Sequence, residues 1–167
     1  MSSNIDKIDK IDKIKKIENY GIYREYHDTG ELKEEYFHIN GVINGQYTSY
    51  LVNGQIFQKY YRINGKKHGL YVSYYLNGQL RSIYTYINDM INDIYKTYHM
   101  NGILETVCVY KNNIIDGDYK KYFNDGILRE ECTYVNGKME GVRKEYFSNG
   151  EIYSISNYSN GIELFVL

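Results

Sequence analysis

The sequence contains no proline and no tryptophan, only two cysteines, and no apolar run long enough to cross a bilayer. At ordinary usage a chain of 167 residues would carry about eight prolines. Their absence excludes collagen-like and Pro-rich linker readings. An excess of charge of either sign is missing too: 20 Lys and Arg stand against 21 Asp and Glu, for a net charge of −1. That argues against a polybasic nucleic-acid binder and against an acidic tail. The opening residues Met1-Ser2-Ser3-Asn4 run into charged residues instead of an apolar stretch, and position 2 is not the Gly that myristoylation requires. An intracellular, cytoplasmic protein without signal peptide or membrane span is expected. Hydrophobic residues at 43% are too many for a wholly disordered chain.

What is present is tyrosine and glycine, 22 and 15 residues respectively. Residues 1–20 form a low-complexity lead in which Ile5, Ile8, Ile11, Ile14 and Ile17 recur every third residue among Asp and Lys. At about 100° per residue this spacing spirals around a helix without making a clean face. The lead reads as a frayed helix capping the residues after it, or as disordered low complexity.

From Gly21 onward, residues 21–167 repeat. Six units open at Gly21, Gly45, Gly69, Asp93, Gly117 and Gly141, each 24 residues after the last. A fixed period of this size marks a repeat architecture. Counting the opening residue as offset 0, offset 9 is always glycine: Gly30, Gly54, Gly78, Gly102, Gly126 and Gly150. Offset 19 is always asparagine, from Asn40 to Asn160. Where glycine is missing at offset 0 or 20, only Asp or Asn replaces it (Asp93, Asp89, Asn113), the residues that best tolerate positive φ. These columns mark turns, two per unit, with runs between them too short for helices. The fold class is therefore all-β: an elongated single-sheet antiparallel meander of six β-hairpins, about twelve strands.

The turn positions set the strand pairing. A two-residue turn at offsets 8 and 9 pairs offsets summing to 17. A four-residue second loop at offsets 19–22 pairs offsets summing to 41, which is 17 plus one period. Rows then cross the sheet without stagger. One row stacks Tyr23, Tyr36, Tyr47, Tyr60, Tyr71, Tyr84 and Tyr95, then continues through Cys108, Tyr119, Cys132, Arg143 and Ser156. A second, beginning His27–Leu32–Leu51–Ile56, is expected on the same, core-side face. A third sets Gly69, Gly117 and Gly141 against Tyr86, Tyr134 and Tyr158, rings covering strand glycines.

Offset 5 is tyrosine in every unit: Tyr26, Tyr50, Tyr74, Tyr98, Tyr122 and Tyr146. The arithmetic puts these on the opposite face, paired with Lys33, Phe57, Arg81, Glu105, Arg129 and Tyr153. They are either structural, each ring packed on a flanking Lys or Arg stem or turned inward by a bulge, or an aromatic stripe for an elongated partner. Cys108 and Cys132 share a column one repeat apart, about 9.6 Å with a strand between, too far for a disulfide. Free, partly buried thiols are expected.

Catalytic patterns are wanting. His27, His38, His68 and His99 have no metal-ligand spacing, no glycine loop leads from strand to helix, and no nucleophile elbow occurs. Glu34, Glu35, Glu130 and Glu131 read as solvated strand positions. No enzyme activity, cofactor or metal is expected.

The unit Gly45-x-Tyr47-x-x-Tyr50-x-x-Asn53-Gly54-x-Ile56, then Asn64-Gly65-x-x-His68-Gly69-x-Tyr71, resembles the MORN repeat (membrane occupation and recognition nexus). It is most similar to the bacterial variant in antitoxin-like proteins of the YwqK type. The Asn, Ile and Tyr bias is also similar to repeat proteins of large A+T-rich DNA viruses. The resemblance implies a row of hairpins in one twisted sheet, used as a protein–protein scaffold, sometimes at membranes, and in some members for phospholipid. The expected partner is another protein, met through a face or through the variable second loops such as Lys66-Lys67-His68, and not nucleic acid. Net charge does not support membrane association, and neutralisation of a toxin partner is a further alternative. The apolar tail (Ile162, Leu164, Phe165, Val166, Leu167) is expected to close the last edge, since an open one would favour end-to-end self-association.

Overall fold

The computed structural model describes residues 19–165. Residues 1–18 of the lead, and Val166 and Leu167 of the tail, lie outside the described residues. The strands are β1 (Tyr20–Tyr26), β2 (Leu32–Ile39), β3 (Val42–Tyr50), β4 (Ile56–Ile63), β5 (Lys66–Lys67), β6 (Gly69–Tyr74) and β7 (Leu80–Ile87). They continue as β8 (Met90–Tyr98), β9 (Leu104–Lys111), β10 (Ile114–Tyr122), β11 (Leu128–Val135), β12 (Lys138–Tyr146), β13 (Ile152–Ser159) and β14 (Ile162–Leu164). All belong to one antiparallel sheet in chain order, with β5 a two-residue start that pairs with β4 before the chain resumes as β6. The all-β hairpin meander is therefore the fold. Its strand number exceeds twelve because one strand is split and a short one comes after the sixth hairpin.

The two turns are the reverse of the expected ones. At the first, His27 N–H donates to Glu31 O (2.8 Å) and Gly30 N–H to His27 O (2.9 Å), closing a three-residue loop. Only Gly30 there has positive φ (+97°), as in a type I turn followed by a left-handed residue. The second turn has two residues: Asn40 (φ +50°) and Gly41 (φ +76°) lie between the paired Ile39 and Val42. Two successive positive φ values make this the primed turn that matches strand twist.

Each turn shifts the register near it, and a bulge restores the sum farther along. Glu25 pairs with Glu34 but Tyr26 with Leu32, leaving Lys33 as the extra residue. The same extra position recurs as Phe57, Arg81, Glu105, Arg129 and Tyr153. Thus the offset-11 aliphatics oppose the offset-5 tyrosines, and not the offset-6 residues that the pairing sum of 17 requires. On the other side, the bulge falls at the opening residue, where Gly45 has φ +134° and Asp93 φ +66°. Beyond the bulges Tyr23 pairs with Tyr36, Tyr36 with Tyr47, and Tyr47 with Tyr60, so the tyrosine row crosses the sheet unstaggered.

That row is the backbone of the packing. Ring centroids along Tyr23–Tyr36–Tyr47–Tyr60–Tyr71–Tyr84–Tyr95 are 4.7, 6.0, 4.7, 5.9, 4.6 and 4.9 Å apart, all stacked. Stacked pairs contribute about 0.5–1.5 kcal/mol each beyond the area they bury. A single sheet has no second layer to bury its residues, so the rings cover one another instead. Only Tyr60, Val72, Cys108 and Cys132 among the described apolar side chains are buried.

The hairpin ends are stapled repeat to repeat. On one edge, turn amides reach back: Gly65 N–H donates to Ile43 O (3.0 Å), Gly137 to Ile115 O (2.9 Å) and Gly161 to Met139 O (2.9 Å). On the other edge side chains reach forward: His27 Nε2 donates to Tyr50 O (3.2 Å) and His99 Nε2 to Tyr122 O (3.0 Å). Asn77 and Asn101 Nδ2 likewise donate to Met100 O (2.8 Å) and Asn124 O (2.7 Å).

Candidate functional site

Strand alternation puts offsets 2, 4, 13 and 15 on one face. Offsets 4 and 13 make a row beside the tyrosine ladder, and its composition changes along the sheet. In the middle it is small and hydroxyl-rich: Ser49, Gln58, Ser73, Ser82, Thr97, Thr106. At both ends it is charged and filled. Glu130 and Glu145 are clamped by Arg143 (Nε to Glu130 and Nη2 to Glu145, 2.7 Å each), while Tyr47 OH donates to Glu34 at 2.6 Å.

Small side chains between tall rows leave a groove. It holds about 380 Å³ and crosses strands β4 to β9. Ser73 and Ser82 are its buried floor, their hydroxyls 2.7 Å apart. Tyr71, Tyr84 and Tyr95 form one wall, and Phe57, Tyr75, Arg81 and Glu105 the other. Arg81 lies over the Tyr75 ring at 6.0 Å, Tyr71 OH donates to Gln58 Oε1 (2.9 Å), and Thr97 Oγ1 to Glu105 Oε2 (3.2 Å). Burial and the Tyr86 hydroxyl push the Tyr84 phenol well above its usual range, and burial beside Tyr110 raises Tyr95. Both phenols are neutral donors at ordinary pH. Aromatic walls above a hydroxyl floor suit the binding of an extended polar chain.

A larger hollow of about 500 Å³ lies over β1 to β4, lined by Ile22, Arg24, Glu35, Phe37, Gln46, Thr48 and Tyr61 among others. It is the more open of the two, and its Arg24–Glu35 pair (3.1 Å) is already satisfied. The central groove, with its buried floor, is the better-formed site.

The offset-5 tyrosines do lie on the face away from the ladder. Tyr26, on the first strand, is exposed, while Tyr50, Tyr74, Tyr98, Tyr122 and Tyr146 are half-buried. Tyr50 OH donates to Glu35 (3.3 Å) and Tyr146 OH to Glu131 (2.8 Å), each in the preceding repeat. Their expected Lys and Arg neighbours are elsewhere, because the bulge turns offset 12 to the ladder side: Arg81 covers Tyr75 and Arg129 covers Phe123 (5.6 Å). Gly30, Gly54, Gly78, Gly102, Gly126 and Gly150 occupy the three-residue loops, all at positive φ. Cys108 and Cys132 are free and buried on either side of Tyr119, and burial pushes both thiols up to about 11.

The groove residues and the forward-reaching His and Asn side chains do not stand out in the sequence. Serine, threonine and glutamine on a strand look like ordinary solvent positions. The drop in residue size along the offset-4 and offset-13 columns is the one signal that points to them. Among the described residues no group of three His, Cys, Asp or Glu could hold a metal ion, and no helix is long and apolar enough to cross a membrane.

A one-layer row of hairpins that repeats its turns, its ladder and its staples is a β-hairpin repeat module. The family described as the MORN repeat variant matches residues 19–40, 67–88, 115–136 and 139–160, together just over half of the sequence. The chain belongs to the MORN repeat variant family. The frames between those matches carry the same hairpin, as β3–β4 and β8–β9 show. MORN repeats are in general non-enzymatic modules of interaction or membrane association. No curated protein matches the chain.

Proposed function

We propose that this chain is a non-enzymatic scaffold that holds a protein partner along its tyrosine face. The observation that carries the reading is the central groove, floored by the buried Ser73–Ser82 pair and walled by stacked tyrosines. Tyrosine-rich surfaces with a few polar groups are the usual composition of protein contacts, since a phenol offers large area at low entropic cost. A groove running across the strands fits an extended segment laid along the sheet's long axis. Two unpaired thiols suit a reducing, intracellular compartment. The offset-5 tyrosines contribute mainly to the packing of one repeat on the next in this reading.

The test is site-resolved capture. A photoreactive residue at Thr97, on the groove floor, should crosslink one reproducible protein in the native cell, and the same residue at Thr85, on the other face, should not. Filling the groove with Gln58→Phe should abolish that crosslink while leaving the β-sheet circular dichroism unchanged. Capture from Thr85 alone, or capture indifferent to Gln58→Phe, would refute the proposal.

A further inference from the structure

Of the six units, only the second carries a cationic surplus. Residues 45–68 carry Lys59, Arg62, Lys66 and Lys67 and no acidic residue. The structure places two of these cations directly opposite each other, Arg62 on β4 and Lys67 on β5. The next three repeats put an aromatic–aliphatic pair at the same place: Tyr86 with Ile91, Tyr110 with Ile115, and Tyr134 with Met139. Like charges facing across strands are unfavourable, whereas the aromatic–aliphatic pair is favourable. This repeat breaks a local rule that its neighbours keep, the kind of conflict expected at functional positions.

Asp89 Oδ1 accepts from the Lys67 backbone N–H (2.8 Å) but pairs with neither side-chain cation. Among the described residues no carboxylate lies within salt-bridge distance of either cation. Arg62 spends Nη1 on Gly65 O (2.6 Å), and its Nε is buried without a partner. Lys67 Nζ sits over three rings, 4.9 Å from Tyr60, 5.0 Å from Tyr86 and 6.0 Å from Tyr71. Arg62 lies 5.6 Å from the Tyr60 ring. Tyr71 lines the central groove on its other side.

We propose that Arg62 and Lys67 recognise a carboxylate of an acidic peptide segment that adjoins, across the tyrosine row, the part of the partner lying in the central groove; this rests on the protein-partner reading above. A peptide is favoured over an anionic bilayer by the setting. Arg62 and Lys67 are half-buried at strand level instead of projecting. Stable attraction to a membrane surface takes a larger basic cluster.

A six-residue polyglutamate peptide, titrated into the isotope-labelled full chain, should shift the amide signals of Arg62, Lys67 and Tyr71. The double substitution Arg62→Tyr with Lys67→Ile installs the residues that the next repeat uses, so it should fold and melt no lower than the parent. It should nevertheless weaken peptide binding by about tenfold or more, while Lys111→Gln, an exposed cation elsewhere, should leave it unchanged. No shift at these residues, equal binding by the double variant, or tighter variant-sensitive binding to phosphatidylserine vesicles than to the peptide overturns the inference. Thr97 crosslinking that survives the double variant overturns it too, yet leaves the groove reading standing. Loss of that crosslink only in Gln58→Phe would separate the two in the same way.

Discussion

The ladder of stacked rings makes a quantitative claim about Tyr60. It is 7% exposed and lies between Tyr47 at 4.7 Å and Tyr71 at 5.9 Å, so Tyr60→Leu removes two stacked pairs. At about 0.5–1.5 kcal/mol per pair the stacking lost is roughly 1–3 kcal/mol, with leucine retaining much of the buried apolar area. Loss of the Lys67 and Arg62 contacts with the ring adds to it. Tyr23 at the end of the row is 40% exposed and stacks only on Tyr36. Tyr23→Leu should therefore cost no more than about 0.5–1.5 kcal/mol. No side-chain hydrogen bond of the Tyr60 hydroxyl is found among the described residues, so Tyr60→Phe should be close to neutral. Arrays of this kind can unfold unit by unit, so the assay is amide hydrogen exchange read repeat by repeat, with urea unfolding as a global check. Equal costs for Tyr60→Leu and Tyr23→Leu, or a Tyr60→Phe as damaging as Tyr60→Leu, would show that stacking along the row is not what stabilises the sheet.

The turns, the thiols and the charged end each carry a further expected outcome. Gly65→Ala meets Val42 Cγ1 at 3.1 Å at φ +81°, whereas Gly161→Ala at φ +82° meets Lys138 Cβ at an ordinary 3.5 Å. Both should lose about 1–2 kcal/mol for the left-handed backbone, and thermal melts should show Gly65→Ala losing measurably more. Cys108 and Cys132 are raised by burial to about 11, and Tyr119 to about 12 by burial, Glu130 and Tyr134. Acids whose folded pKa is raised leave stability intact below the unfolded pKa, about 8.5 for a thiol and 10 for a phenol. That stability is then lost as pH climbs toward 11–12, so unfolding midpoints should hold at neutral pH and fall above about pH 9. Native alkylation at pH 8 should be slow compared with the unfolded chain, and fast native labelling would contradict the burial. Arg143→Leu leaves Glu130 and Glu145 half-buried without their cation. The expected loss is roughly 1–3 kcal/mol, below the figure for a fully buried pair because all three groups keep some water. Arg143→Leu combined with Glu130→Gln and Glu145→Gln should recover part of it in urea unfolding.

The repeat, its columns and the unstaggered tyrosine row are legible because glycine and asparagine report backbone geometry directly. The turn types are not, because Asn-Gly occurs at both. At offsets 19–20 both residues take positive φ. At offsets 8–9 the asparagine instead uses its side chain, Asn53 Oδ1 accepting from Gln55 N–H (3.1 Å) and Asn101 Oδ1 from Ile103 N–H (3.2 Å). Thr29 at offset 8 is the available clue, since a β-branched residue resists the left-handed region. Each bulge cancels the shift of its own turn in the pairing sums, so the sums place the row correctly and put the offset-12 side chains on the wrong face. The groove is illegible for a different reason. It is made by what its floor residues lack in size, and only the paired rows show that Ser73 and Ser82 lie between walls.

Because the principal contacts of each strand are with the strands before and after it, the sheet has no global closure condition. A barrel fixes its own circumference; this structure fixes only its step. Adding or deleting one whole unit would preserve every junction and change the length by two strand spacings, about 9.6 Å. Copy number is then a ruler that mutation can lengthen or shorten in discrete increments without redesigning any interface. The tyrosine row would supply the graduations against which a bound segment is measured.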